Sequence, residues 1–169
     1  MPFVFINNRA NFIEDTFMKW DDTFSAGAFI DPGAHCPSDD GSVSVKILAP
    51  NSLTLLMQGL TWPGNFPNME PVLTTNGNLG PITLDLSHRI SGVGAFIEPR
   101  PRPTIVDYFP VISVNGMPER GLVSSAVNAV AFVAIKSDTQ NIEEVSFNIR
   151  NNNGGRIRDF GIASLFFIM

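Results

Sequence analysis

The chain has 169 residues, 16% of them charged and 14 of them phenylalanine, with a net charge of −5. That length fits one domain, residues 1–169, able to bury a core without disulfides or metals. The charge excludes a general nucleic-acid binder, which needs clustered Lys and Arg to neutralise phosphates, and the single cysteine, Cys36, excludes an intrachain disulfide.

No run of about 18 apolar residues offers a membrane-spanning helix. The start, Met1-Pro2-Phe3, carries no signal peptide and reads as a trimmed or mature N-terminus. The first expected element is a helix over residues 7–20. Asn7 or Asn8 can cap it, and Phe12, Ile13, Phe17 and Trp20 recur at helical spacing. Asp31 to Pro37 reads as a loop holding His35 and Cys36.

From Ser42 the period changes to two. Val43, Val45 and Ile47 alternate with Ser42, Ser44 and Lys46, and Leu53, Leu55 and Met57 follow across a Pro50-Asn51 turn. Ile82, Leu84 and Leu86 alternate with Thr83, Asp85 and Ser87. The stretch from Ile90 to Ile97 holds Gly92 and Gly94 among apolar residues, which predicts a bulge or a close backbone approach. Pro99 to Pro103 is an irregular connection, because alternating prolines cannot donate to a ladder. Strands resume over residues 105–114, 129–135, 142–150 and 156–168. Asn115-Gly116 is a hairpin signal, and the run from Asn151 to Gly155 joins the last two strands. Short strands with regular turns predict an all-β fold, a two-sheet antiparallel sandwich of jelly-roll kind with one short N-terminal helix.

Three blocks resemble a widespread bacterial β-sandwich group found in exported proteins of PEP-CTERM type, whose function is unknown. They are Asn8-Arg9-Ala10-Asn11-Phe12; Ile82 to Leu86 with Gly92-Val93-Gly94-Ala95-Phe96; and Phe132 to Thr139 with Ile142 to Phe147 and Arg158 to Ile162. The resemblance implies a sandwich fold and an extracellular or periplasmic setting.

The chemistry-bearing residues are few. No Gly-x-Ser-x-Gly elbow, His-Glu-x-x-His helix or phosphate-binding loop is present, so no catalytic residue is assigned. His88 beside Arg89 reads as a strand-end surface residue, and Cys36 as an incidental loop thiol. Arg100 with Arg102, and Arg150 with Arg156 and Arg158, read as solvated charges. A calcium ion takes six to eight oxygens, and the candidate metal ligands are Asp21, Asp22, Asp31 and Asp159.

Sugar binding needs aromatic faces beside amides or carboxylates. Trp62, Asn65, Phe66 and Asn68 supply both in one loop, which a packing role of Trp62 and Phe66 over the core explains better, and Asp107 and Tyr108 form a second, weaker candidate. The leading expectation is a non-enzymatic module that binds carbohydrate or another cell-surface component. The alternatives are a structural subunit that forms homo-oligomers through the run Leu165-Phe166-Phe167-Ile168-Met169, and a glycan-active enzyme using paired acids such as Asp21-Asp22 or Asp39-Asp40.

Overall fold

The structure, a computed structural model, describes residues 2–101, 107–121, 125–126 and 130–169. Arg102, Pro103, Ile105 and Ala129 of the expected segments lie outside these residues. The first half of the chain carries β1 (Val4–Ile6), β2 (Thr16–Met18), β3 (Phe29–Ile30), β4 (His35–Pro37), β5 (Ser44–Ala49), β6 (Leu53–Met57) and β7 (Pro71–Thr74). There follow β8 (Ile82–Ile90), β9 (Gly92–Pro99), β10 (Asp107–Val114), β11 (Arg120–Gly121), β12 (Ser125–Ala126), β13 (Ala131–Lys136), β14 (Ile142–Asn151) and β15 (Phe160–Ile168).

These strands form two antiparallel sheets packed face to face, as the period-two segments predict. The first runs β1-β13-β9-β15-β7-β6-β3, with β2 also on β15. The second runs β11-β10-β14-β8-β5-β4, with β12 on β10. Val45, Ile47, Ile82, Leu84, Val145 and Phe147 from the second sheet meet Val93, Ile97, Val133, Leu165 and Phe167 from the first in one buried core.

The expected N-terminal helix does not form. Residues 7–20 instead make a 3₁₀ turn, Arg9–Asn11, in which Ala10 N donates to Asn8 Oδ1 at 3.0 Å, then enter β2, and Trp20 opens a second 3₁₀ turn. Here strand pairing overrides the helical spacing. Asp15 N donates to the Phe167 carbonyl at 2.8 Å, and Thr16, Phe17 and Met18 pair with Phe167, Phe166 and Leu165. Met18 and Trp20 then fall on the core side, while Ile13, which a helix would have shared with Phe12 and Phe17, is 81% exposed.

Other local signals hold. Asn115 and Gly116 both have positive φ (50° and 67°), and Met117 N returns to the Val114 carbonyl at 2.9 Å, the geometry of a two-residue hairpin turn. Gly94 is the close approach its position predicts, since a Cβ there would lie 2.5 Å from Ala134 Cβ and 2.9 Å from Phe132 Cζ. The terminal apolar run is not an edge. β15 lies between β9 on one side and β7 and β2 on the other.

That shared edge positions the candidate site. β7 pairs with Gly161 and Ile162, β2 pairs with Leu165 to Phe167, and the register along β9 shifts between Ile162 and Leu165. Ala163 and Ser164 thus sit at a bulge where two strands meet end to end beside a third.

Candidate functional site

The loop from Gln58 to Glu70 folds onto the outer face of the first sheet. Trp62 is 1% exposed, and its Nε1 donates to Oε1 of Glu98 at 2.9 Å. Asn65 N donates to the same oxygen at 2.7 Å, and Asn65 Nδ2 reaches Oε2 at 3.3 Å. Glu98 is itself 1% exposed, so these N–H groups supply the partners that a buried carboxylate requires. Gln58 completes the fastening, accepting from Phe66 N at 3.2 Å and donating to the Gly64 carbonyl. Gly64 packs so tightly on this knot that a Cβ would lie 1.6 Å from Glu98 Oε1.

Trp62 and Phe66 are buried and pin the loop to the sheet, with Val72 and Ala163 in the same cluster. The edge of the indole that hydrogen-bonds is turned inward, and the Arg100 guanidinium lies 5.7 Å from the Trp62 ring centroid. Of the four loop residues expected to bind a ligand, Asn65 and Asn68 are exposed, and Asn65 is held by Glu98. Tyr108 lies in the main core, where it offers no ligand surface. Asp107 is in β10, and its side chain falls outside the described residues.

The expected calcium ligands are spread over three places. Asp21 and Asp22 lie on an exposed 3₁₀ turn after Lys19, and Asp31 on an exposed turn after β3. Asp159 is buried at a positive φ of 64°, where it accepts from Gly77 N at 3.1 Å and pairs with Arg100 Nη1 at 3.5 Å. Among the described residues no three His, Cys, Asp or Glu side chains group to hold a metal ion.

Cys36 is buried on β4, its thiol 3.2 Å from Thr23 Oγ1. Burial pushes its pKa up, the Thr23 bond works against that, and the charges of Asp22 and Asp21 add to the rise. The thiol is therefore held protonated, the opposite of a reactive cysteine. His35 and His88 are exposed on the second sheet, His88 Nδ1 lying 3.1 Å from Ser87 Oγ.

A groove that no motif marks lies on the outer face of the first sheet, between the folded-back loop and β2. Its volume is about 310 Å³. Phe96, Ala163 and Phe166 line it from β9 and β15, Phe17 and Lys19 from β2 and its end, and Pro67 and Glu70 from the loop. Ser164 lines it at the bulge. Phe96 meets Phe166 edge-on at 6.1 Å and Phe132 at 5.1 Å, and the Arg9 guanidinium lies 4.3 Å from the Phe166 centroid.

The bulge is satisfied from both sides of the sheet. On the core side Trp20 Nε1 donates to the Ala163 carbonyl at 2.8 Å. On the groove side Glu70 Oε1 accepts from Ser164 Oγ at 2.7 Å and from Ser164 N at 3.3 Å. Glu70 thus supplies the acceptor that strand pairing does not reach.

The groove residues come from positions 17–19, 67–70, 96 and 163–166, so spacing along the chain gave no means to find them. One signal was present: β15 is apolar on successive residues, which marks a strand covered on both faces.

No family model, curated protein or solved structure matches the chain.

Proposed function

We propose that this chain is a non-enzymatic binding module that holds a small ligand by an apolar group in the groove between β2 and the Gln58–Glu70 loop. The observation that carries the reading is the groove itself: about 310 Å³, floored by Phe96, Ala163 and Phe166 and walled by Phe17 and Pro67. This volume lies at the lower end of small-molecule sites, which span roughly 300–1,000 Å³ and are lined mainly by apolar side chains with a few placed polar groups. The lining favours an apolar group over a sugar, whose many hydroxyls need partners that a carbon surface does not supply. Burial of Trp62 removes the stacking face on which the sugar reading rested.

The test is a backbone-amide NMR titration of the full chain with 3-phenylpropan-1-ol, and separately with cellohexaose. The expected result is saturable shifts from the alcohol at Phe17, Phe96, Ala163 and Phe166, abolished when Ala163→Met fills the floor. Shifts from the hexasaccharide centred on Asn65 and Asn68, with none from the alcohol, would replace this reading with a carbohydrate module.

A further inference from the structure

The groove is lined by an acid and a base, Glu70 and Lys19, that do not pair with each other among the described residues. Glu70 is fixed there by Ser164, which spends only Oε1. Continuing the Leu165–Met18 register by one residue sets Lys19 opposite Ser164, and Lys19 and Glu70 both line the groove. Among the described residues neither Lys19 nor Glu70 forms an ion pair. Phe96 and Phe166 form the floor of the same groove.

Resting on the binding reading above, we propose that the ligand is a small zwitterion with an apolar side group, of the free α-amino acid kind. Its ammonium faces the free oxygen of Glu70, its carboxylate faces Lys19, and its side group lies on Phe96 and Phe166. The charge pattern selects this class by subtraction. An apolar carboxylate gains Lys19 but meets the like charge of Glu70, and an apolar amine gains Glu70 but meets Lys19. A neutral apolar molecule gains neither. The groove's volume of about 310 Å³ fits one side group and its head.

The experiment is a calorimetric or NMR titration of the full chain at neutral pH with four probes sharing a phenyl group: L-phenylalanine, 3-phenylpropionate, 2-phenylethylamine and 3-phenylpropan-1-ol. L-Phenylalanine is expected to bind at least tenfold more tightly than the other three. Lys19→Met is expected to bring it to the level of the amine, and Glu70→Gln to the level of the carboxylate. Glutamine keeps an acceptor for Ser164, so the second variant removes charge and leaves the bulge capped. Equal affinity for all four probes, with shifts in the groove, overturns the zwitterion and leaves the binding module standing. Failure of all four, the alcohol included, overturns both.

Discussion

On the outer face of the first sheet, Phe96, Phe132 and Phe166 lie ring against ring beneath two crossing segments, the turn around Arg9 and Phe12 and the loop around Trp62. On the outer face of the second sheet, Lys46, Asp85 and Glu144 stand in a cross-strand row, half-exposed, beside a Thr83–Ser146 hydrogen bond of 2.8 Å. The strands beneath both faces contribute equally to the core between the sheets. What differs is the second side of each strand. An apolar second side demands cover, and segments that cover a sheet leave grooves at their margins. A polar second side needs none, because water and its neighbours satisfy it.

This contrast can be broken experimentally, and the largest effect belongs to the covered face. Phe132 packs edge-on against Phe12 and Phe96. Phe132→Ala is expected to cost about 3–5 kcal/mol in urea denaturation, against about 1 kcal/mol for Thr83→Ala on the open face. Comparable losses at the two positions would abolish the distinction. Next comes the fastening of the loop. Glu98→Ala leaves the Trp62 and Asn65 N–H groups without their acceptor, at an expected cost of about 3 kcal/mol, with a red shift in tryptophan emission as the indole meets water.

Smaller effects sharpen the open side. Asp85 and Glu144 are direct cross-strand partners of like charge, and Lys46 lies on the far side of Asp85. Glu144→Gln should therefore raise stability by about 0.2–1 kcal/mol at low salt, a gain that shrinks as salt is added. The smallest effect concerns Asp40, an exposed turn residue that accepts from Ser42 N, Ser42 Oγ and Ser38 Oγ. These bonds, those of Ser42 first, hold its carboxyl well below the ordinary value of 3.8. A carboxyl depressed in the folded state stabilises fully above that ordinary value, and the benefit fades as pH falls below it. The difference in urea midpoint between wild type and Asp40→Asn should accordingly be larger at pH 6 than at pH 2, and a difference that grows on acidification would refute the assignment.

How far the sequence carried can be seen in particular segments. Val45, Ile47, Leu84 and Val145 show their buried face through alternation alone, and the structure puts all four in the core. Residues 7–20 mislead, because Phe12, Phe17 and Trp20 satisfy helical spacing while Thr16, Met18 and Trp20 satisfy the strand period. Pairing with β15 chose the second. Trp62 reads as an anchor ahead of a ligand platform, and the structure buries it against Glu98, a partner that no spacing in the chain reveals. Lys19, Glu70 and Ser164 carry no local pattern at all.

The sequence by itself determined the all-β class, the strand cores, the Asn115-Gly116 turn and the lack of an intrachain disulfide. These follow from backbone preference and from side chains two positions apart, which interact within one element. Tertiary structure decided that β15 is central, that the first residues form a strand, that Trp62 faces inward and that a groove opens beside Ser164. Each of these depends on which remote strand lies alongside, and hydrogen-bond pairing between distant segments leaves no fixed spacing along the chain.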